Sequence, residues 1–543
     1  MTSESLFHVE SFTSHEQEIL SRFFSNSDRP VFAVKNLPDV VKGALFARYS
    51  RSHKSLRRLF LDEFYQDRSD AIDHLADAKN AGGDVGRVRA EQLYDRIFSD
   101  YGDDSVAQLG AAHIACEQAS NLLTKVLERG RLASYLEQST RYILFDQKLG
   151  DSYRYRTPHE LTNSSLRVAY EKCMNGLFEA YTTTIQHLTP WLQERFPKSD
   201  NDSVAMWNST LRAKACDIAR GLLPAATLSN VGIFASGQAY ESMLLRMFAH
   251  PSQEVQFYAN DILRELRTVV PSFVRRVDQE GRGVQWTKYH VDVSRQTAAI
   301  AKRIEAVPPD AQAVDLTEWD PDGEQQVIAG ALYEHTHLPD AQLLAIVRGM
   351  SADEQNEIFQ AIVGQRANRR HRPGRGFERT SYRFDVLCDY GAFRDLQRHR
   401  MLTVQWQELT FNHGYTVPTE VVLSGIADRW HAAMSSAARL YRQLDEHHGS
   451  HVAQFAVPLA YKVRFNMQMN AREAMHLIEL RSQRQGHPSY RSICQQMHTL
   501  IRDRAGHRRI AAAMIYVDYA EYDLERLDSE RRLATKRQQS LMG

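Results

Sequence analysis

The feature that most constrains the fold of this chain is a sequence device that occurs twice. Residues 127–140 read LERGRLASYLEQST, and residues 396–410 read LQRHRMLTVQWQELT. Each copy begins with a leucine two residues before an Arg-x-Arg triplet and reaches a threonine after nearly the same interval. The triplets are Arg129-Gly130-Arg131 and Arg398-His399-Arg400. Internal repetition of this kind predicts a duplicated domain.

Length and charge restrict the classes of protein to which the chain can belong. Its 543 residues exceed the usual single-domain size, and together with the repeat they predict two domains. The 67 Lys+Arg residues balance 67 Asp+Glu residues, so no overall field attracts nucleic acid or an anionic membrane. Any site for an anion therefore has to be local.

Cysteine usage and the N-terminal sequence indicate the compartment. The five cysteines are far apart and form no Cys-x-x-Cys pair, which argues against a disulfide framework and against a zinc or other metal site. The sequence MTSESLFHVESF lacks the basic region and apolar core of a signal peptide, and nothing later approaches 18 consecutive apolar residues. We therefore expect a cytoplasmic protein that does not enter the membrane.

Apolar spacing and breaker residues give a coarse map of the elements. Helices are predicted over the ranges 165–195, 205–222, 235–247 and 255–270, and a strand over Tyr382–Leu387. The passage that begins at Arg29 is predicted to form a strand, a turn and the start of a helix. The three predicted regions are a first repeat with an N-terminal extension (1–305), a linker that opens the second repeat (306–325) and the second repeat with a charged tail (310–543).

The stretch from Val452 to His487 contains a possible ligand-lining surface. On a helix, Asn470 and Arg481 would lie within about 20° of each other, three turns apart. Met467 and the following apolar residues would form the adjoining buried face, where methionines most often fill the core. Pro458 in this stretch corresponds to Pro224 in the first half of the chain.

The most basic run is QRANRRHRPGRGFER, residues 365–379. A solvated face and local phosphate binding are both open interpretations of this run. A third interpretation, an RNA or DNA surface, is disfavoured by the balanced overall charge.

These motifs together resemble those of the flavin-dependent thymidylate synthases. That family carries Arg-His-Arg followed by a Ser or Ala, an acidic residue, a Ser and Arg-Tyr, and later Ala-Arg-x-x-Leu-Pro and a helix with Asn-Ala-Arg and Leu-Arg. The first half keeps RGRLASYLEQSTRY and Ala219-Arg220-Gly-Leu-Leu-Pro224. The second half keeps Arg398-His399-Arg400, Asn470-Ala471-Arg472 and Leu480-Arg481. The two halves have therefore kept complementary parts of the pattern.

The departures from the family pattern are as specific as the matches. Residues that differ from the family at motif positions are Gly130, Ser236, Gln238, Trp406 and Gln454. Each of them removes a group that the family uses, so a drifted substrate or a lost activity remains an alternative to the family's reaction.

The resemblance implies a fold and an activity. The fold would be α+β, with two tandem repeats of a thymidylate-synthase-complementing-type domain, each a small mostly antiparallel sheet packed with long helices. The activity would be methylation of dUMP to dTMP with FAD, methylenetetrahydrofolate and NADPH, at composite sites formed between the repeats. A homodimer would then form a pseudo-tetramer. The alternative is a catalytically silent or substrate-drifted flavin- or nucleotide-binding homologue.

The resemblance also implies roles for particular residues. Flavin would contact Arg398, His399, Arg400, Glu378, Asn470 and His476. The nucleotide would contact Glu137, Ser139, Arg141, Arg220 and Arg481. Of the two predicted catalytic residues, Arg481 would stabilise the charge that builds on the pyrimidine, and Ser139 would donate a hydroxyl hydrogen bond to the nucleotide phosphate.

Overall fold

The computed structural model describes residues 10–24, 26–28, 34, 36–37, 41–42, 45, 55–65, 108–141, 143–149, 152–200, 202–306, 312–524 and 531. The strand, turn and helix predicted from Arg29 lie largely outside these residues. The chain divides into two compact units. One comprises Met1–Cys116, Leu132–Leu136 and Val231–Ile304, and the other comprises Glu117–Arg131, Glu137–Asn230 and Glu305–Gly543. We call the second one the large unit, and it contains parts of both predicted repeats.

Helices make up most of the described secondary structure. In chain order they are α1 Ser14–Phe23, α2 Leu56–Leu59, α3 Asn121–Leu127, α4 Arg167–Arg195, α5 Val204–Ala219, α6 Gly237–Phe248, α7 Gln253–Val269, α8 Gln285–Ala301, α9 Gly323–Leu332, α10 Asp340–Gly349, α11 Ala352–Val363, α12 Tyr390–Leu396, α13 Thr419–Leu423, α14 Ala427–His448, α15 Ser450–Ala453, α16 Ala471–Arg481, α17 Pro488–Asp503 and α18 Arg508–Ala513.

The strands form small antiparallel sheets. They are β1 Ala111–Ser120, β2 Ala133–Glu137, β3 Lys148–Leu149, β4 Ser152–Tyr153, β5 Leu228–Ser236, β6 Val314–Trp319, β7 Ser381–Asp389, β8 Thr403–Trp406 and β9 Lys462–Asn470. One sheet has the order β1-β5-β2, another the order β6-β7-β9-β8, and β3 pairs with β4. In the four-stranded sheet each observed pairing is antiparallel. These sheets and the long helices α4, α14 and α17 confirm the predicted α+β class.

Equivalent elements of the two repeats begin and end at matching positions. Helix α3 follows Ser120, whose side chain accepts a hydrogen bond from Leu123 N, and α12 follows Asp389, whose side chain accepts from Ala392 N. Such a cap satisfies one of the free amides at a helix start and fixes where the helix begins. Strands β5 and β9 likewise run nine residues each into a capped helix. The duplication seen in the sequence is therefore present in the fold.

The two repeats join in the large unit through a reciprocal backbone pairing around Pro224 and Pro458. Ala225 N donates to Val457 O at 2.8 Å, and its counterpart Leu459 N donates to Leu223 O at 2.9 Å. A second matched pair of bonds runs from Ala226 N to Phe455 O and from Ala460 N to Gly221 O. Each bond has a mate with the repeats exchanged, which is the pattern of a two-fold contact.

Two of the predicted elements need correction. The predicted helix 235–247 begins only at Gly237, because the preceding residues form strand β5, which ends at Ser236. Met467 and Asn470 lie in strand β9, where buried and half-buried side chains alternate, and not on a helix. The Asn470 side chain accepts from Glu473 N at 2.9 Å and starts helix α16. An apolar stretch that changes from strand to helix in mid-run gives a misleading helical period.

In the part of the chain that the structure describes, no helix has both the length and the apolar character required to cross a bilayer.

The free energy of unfolding should depend strongly on one buried ion pair of the large unit. Arg366 Nη1 and Nη2 each lie 2.6 Å from an oxygen of Glu479, and both side chains are 1% exposed. Replacing Glu479 by Gln leaves the guanidinium charge without its partner and should destabilise the chain by about 3–5 kcal/mol. Urea unfolding measures this difference.

The control is the exposed pair Arg348–Asp322, whose side chains are 52% and 47% exposed. Asp322→Asn should change the free energy of unfolding by less than about 1 kcal/mol. Equal losses in the two variants would show that burial does not decide the contribution of these pairs.

Candidate functional site

The first part of the candidate site is the buried carboxylate of Glu137 at the end of β2. Its Oε1 accepts from Arg394 Nη2 at 2.7 Å, and its Oε2 lies 2.5 Å from Arg398 Nη2 and 3.2 Å from Lys125 Nζ. Burial acts to raise the pKa of Glu137, but Arg394, Lys125 and Arg398 outweigh burial and hold the pKa well below its usual value. Glu137 thus anchors the Arg-His-Arg triplet of the second repeat to the loop of the first.

A second buried carboxylate, Asp395, lies among four arginines that the resemblance assigns to ligands. Arg220 Nη1 lies 3.4 Å from Asp395 Oδ2. Burial acts to raise the pKa of Asp395, but Arg220, Arg398, Arg141 and Arg481 lower it far more. The sequence analysis missed Asp395. Its signal was a charged pair, Arg394-Asp395, in an otherwise apolar helix just before the triplet.

Arg141, in the loop after β2, is held in place by both repeats. Its Nε and Nη2 each donate to a carboxylate oxygen of Asp217 at 2.8 Å. Its Nη1 donates to Tyr490 Oη at 2.9 Å and Nη2 donates to Gln485 O at 3.1 Å. Ser139 Oγ accepts from Arg141 N at 3.2 Å and so shapes the same loop.

Tyr490 connects the predicted nucleotide loop to Arg481. The guanidinium of Arg141 lies 5.8 Å from the centroid of the Tyr490 ring, and that of Arg481 lies 5.7 Å from it. Guanidinium groups at these distances are attracted by the face of an aromatic ring. Residues of the two repeats that the resemblance assigns to one site therefore share one aromatic ring inside the large unit.

Arg220 presents an unsatisfied cationic group. The residue is 4% exposed, and its Nη2 is buried without a hydrogen-bond partner among the described residues. A side chain at Gly391 would bring its Cβ to 3.2 Å from this Nη2, so glycine leaves room for the guanidinium. A buried donor without an acceptor is costly, and an anionic ligand would remove that cost.

The histidine of the triplet lies between a carboxylate and an arginine. Arg481 Nε donates to His399 Nε2 at 3.0 Å, and His399 Nδ1 lies 3.1 Å from Glu473 Oε1. Because Arg481 can only donate, His399 Nε2 must be the acceptor, and the ring proton is on Nδ1. Burial, Arg481 and Arg372 lower the pKa of His399 well below its usual value, so the ring is neutral. Glu473 was not predicted from the sequence.

His399, Glu473 and His476 together have the donor atoms of a metal site. One ligand-type atom from each lies within 4.8 Å of the others. In the observed arrangement His399 has no free lone pair, because Nε2 accepts from Arg481 and Nδ1 carries the proton. The charge of Arg372 acts on all three groups and opposes a bound cation.

The remaining predicted residues lie at the start of α16 and at the triplet. The His476 ring centroid is 5.3 Å from that of His399, and Asn470 caps the same helix. Glu378 lies 3.7 Å from Arg472 Nη1 and 3.1 Å from Arg375 Nη2. Arg398 pairs with Glu137, and Arg400 is exposed. The predicted flavin residues of the second repeat therefore surround one helix start and the neighbouring triplet.

Acid should destabilise the folded chain through the two histidines of this site. Burial lowers the pKa of His399 well below its usual value and, with His399 and Arg372, lowers that of His476 to about 4. In the unfolded chain a histidine has a pKa of about 6.5. Between these values the unfolded state binds more protons, so the free energy of unfolding should decrease as the pH falls from about 6.5 to about 4.

Urea unfolding at successive pH values measures this dependence. His476→Gln should reduce its slope, whereas His290→Gln, at an exposed position of α8, should leave the slope unchanged. A slope that is the same in wild type and His476→Gln would contradict the assignment.

Comparison with known proteins agrees with the arrangement of the motifs. The sequence model of the family described as thymidylate synthase complementing protein matches residues 46–272 and again residues 316–505. A UPF0159 protein of Chlamydia muridarum (strain MoPn / Nigg) is 38% identical over 526 residues, which cover 96% of this chain and 98% of that protein.

Two more distant similarities are to proteins with a stated activity. A flavin-dependent thymidylate synthase of Clostridium tetani (strain Massachusetts / E88) is 24% identical over 198 residues, covering 35% of this chain and 72% of that protein. The crystal structure of a UMP/dUMP methylase, PolB from Streptomyces cacaoi, bound with 5-Br dUMP, is 17% identical with a TM-score of 0.31 and covers 37% of this chain and 94% of that one. The last similarity is too low to support a functional conclusion.

The double family match follows the duplication that the fold shows, one match for each repeat. The chain therefore belongs to the thymidylate synthase complementing protein family.

Proposed function

We propose that this chain is a flavin-dependent enzyme that methylates dUMP to dTMP, with methylenetetrahydrofolate as the carbon donor and NADPH as the reductant. The reaction would take place at a composite site to which both repeats contribute. The observation that carries the proposal is the shared contact of Arg141 and Arg481 with Tyr490. It joins the proposed nucleotide loop of the first repeat to the helix of the second repeat that carries Arg481.

The balance of charge supports a phosphate ligand. Six cationic side chains surround or pair with Glu137, Asp395 and their neighbours, and four carboxylates oppose them. The cations are Lys125, Arg141, Arg220, Arg394, Arg398 and Arg481, and the carboxylates are Glu128, Glu137, Asp217 and Asp395. The cations outnumber these carboxylates, which favours an anion such as a phosphate monoester, whose charge at neutral pH is about −1.5 to −2.

Particular residues would divide the work on the nucleotide. Arg220, with its unpartnered Nη2, would hold the phosphate, helped by Arg141 and the hydroxyl of Ser139. Arg481, oriented by its bond to His399, would face the pyrimidine carbonyls. A positive charge there stabilises the enolate-like electron density that builds when C5 of the pyrimidine attacks the methylene carbon. Removing such a donor typically costs about 3–4 kcal/mol of transition-state stabilisation.

The residues around His399 fit a flavin. Neutral His399 and His476, Asn470, Glu378 and the arginines of the triplet would hold it. FAD, when bound, would carry the hydride from NADPH to the transferred carbon. A homodimer that forms a pseudo-tetramer would place two such chains together, each with one complete and one vestigial set of residues.

A second candidate function is a catalytically silent or substrate-drifted nucleotide- or flavin-binding homologue. The observation that favours it is the saturation of Arg141, whose guanidinium already pairs with both oxygens of Asp217 and with Tyr490. A nucleotide phosphate would have to compete with that carboxylate for the guanidinium.

The absorption spectrum of the purified protein, recorded before and after addition of dUMP, separates these functions together with a tritium-release assay. The proposed enzyme should be yellow and should release tritium from C5-tritiated dUMP when methylenetetrahydrofolate and NADPH are present. A yellow protein without tritium release would support the silent homologue, and a colourless protein that takes up no FAD would contradict both flavin proposals.

Replacing Arg220 by Ala should weaken dUMP binding by about tenfold or more, because a hydrogen bond to a charged group typically contributes about 1.5–3 kcal/mol. Isothermal titration of dUMP into the FAD-loaded protein measures the dissociation constant. The matched control is Gln454→Ala at the equivalent position of the second repeat. This variant should leave the dissociation constant of dUMP unchanged. Equal weakening in both variants would show that the repeats do not divide the work.

Replacing His399 by Ala should weaken FAD retention, because it removes the group that orients Arg481 and one wall of the flavin site. Arg129→Ala, in the degenerate triplet, should hardly change it. Flavin absorbance per protein after gel filtration measures retention. Similar bleaching of both variants would count against a flavin site built on the second triplet.

A further inference from the structure

The basic run at residues 365–379 forms a loop whose position is fixed by buried contacts. The loop leaves helix α11 at Gly364, whose φ of 60° is accessible to glycine at little cost. Arg366 is buried against Glu479, and its Nε donates to His371 O at 2.6 Å. At the far end, Arg472 Nε donates to Pro373 O at 3.0 Å. The loop is therefore held in a defined position on the large unit.

Three arginines of this loop have no partner for their charge among the described residues. The guanidiniums of Arg369, Arg370 and Arg372 make no hydrogen bond and no ion pair there. Other arginines of the same run are neutralised, since Arg366 pairs with Glu479, Arg375 with Glu378 and Arg379 with Asp340. The three unpaired charges are thus a local feature of the middle of the loop.

Two of these charges, those of Arg369 and Arg372, lie close to the histidine cluster of α16, because the backbone oxygen of Pro373, next to Arg372, accepts a hydrogen bond from Arg472 of that helix. Arg372 acts electrostatically on His399, Glu473 and His476, and Arg369 acts on His476. Arg481 also reaches this cluster and donates to His399. Three guanidiniums close to two neutral rings and one carboxylate favour an anion and oppose a metal cation.

We propose that Arg369 and Arg372 form a phosphate-binding arm for a nucleotide-type cofactor that lies against His399 and His476. This inference rests on the proposed function for the identity of the cofactor. The phosphate would come either from the pyrophosphate of the flavin dinucleotide or from the reductant NADPH. In both cases planar guanidinium groups bind phosphate oxygens through paired hydrogen bonds.

The experiment compares ligands with and without phosphate. FAD, riboflavin and inorganic pyrophosphate are titrated into the full-length protein, freed of any bound flavin, and into Arg369→Ala, Arg372→Ala and the double variant. FAD and pyrophosphate should bind about tenfold more weakly to each single variant, and riboflavin should bind equally to all. The dependence of FAD affinity on salt should also become less steep in the double variant.

The matched control is Arg370→Ala in the same loop. Arg370 is exposed and, in the described structure, its side chain has no interaction with the histidine cluster, so this variant should bind every ligand as the wild type does. If FAD affinity is unchanged in the variants but the KM for NADPH rises and that for NADH does not, the phosphate belongs to the reductant and the arm is supported.

The outcomes separate this inference from the proposed function. If riboflavin and FAD both fail to bind the wild type, the flavin proposal fails, while pyrophosphate still reports on the arm. If pyrophosphate, FAD and NADPH are handled alike by wild type, Arg372→Ala and the double variant, the arm is overturned whether or not flavin binds.

Discussion

The pairing of backbone groups around Pro224 and Pro458 is the constraint on which the rest of the large unit depends. Proline cannot donate a backbone hydrogen bond, so the bonds at this contact come from the residues that follow each proline. Because the bonds occur in exchanged pairs, the loop before each proline lies against the other repeat. Arg220 is the first residue of one such loop, which is why it reaches Asp395 of the second repeat within the same chain.

Bringing six cations into one cluster, three of them buried, has a large electrostatic cost, and internal carboxylates offset that cost. Glu137 forms ion pairs with three cations, and Asp217 accepts two hydrogen bonds from the guanidinium of Arg141. The pKa of Asp395 is lowered by four arginines. Charges removed from water are tolerated when they are paired and hydrogen-bonded. The same carboxylates would limit the proposed site, because each one would compete with a ligand phosphate for the guanidinium that it holds. Arg220 is the exception, since one of its nitrogens is left without a described partner.

The sequence predicted those features that depend on local pattern. The duplication, the α+β class and most long helices could be predicted, because repeated motifs and the spacing of apolar residues can be recognised directly in the sequence. Asp395 and Glu473 could not be recognised in this way, since their importance comes from arginines and a histidine far away in sequence. Asn470 was placed on a helix because the apolar residues before it fit a helical spacing, while in the fold they alternate along a strand and Asn470 is the cap. Three-dimensional proximity of distant charges is the information that a single sequence does not contain.

The two-fold relation also gives each group of the candidate site an equivalent position in the other repeat. The ion pair between Arg398 and Glu137 has a symmetry mate between Arg129 and Trp406, where the guanidinium lies 5.3 Å from the ring centroid. An aromatic face thus stands where the other repeat has a carboxylate; it still attracts the cation but adds no negative charge and no hydrogen-bond acceptor.

The positions equivalent to Arg220 and Asp395 are occupied by Gln454 and Val126. Gln454 accepts a hydrogen bond from Leu409 N at 3.0 Å. This second location keeps the packing of the contact but has neither the arginine nor the carboxylate found at the positions of Arg220 and Asp395. A duplicated chain can lose these groups from one copy while the two-fold contact and the other copy remain intact.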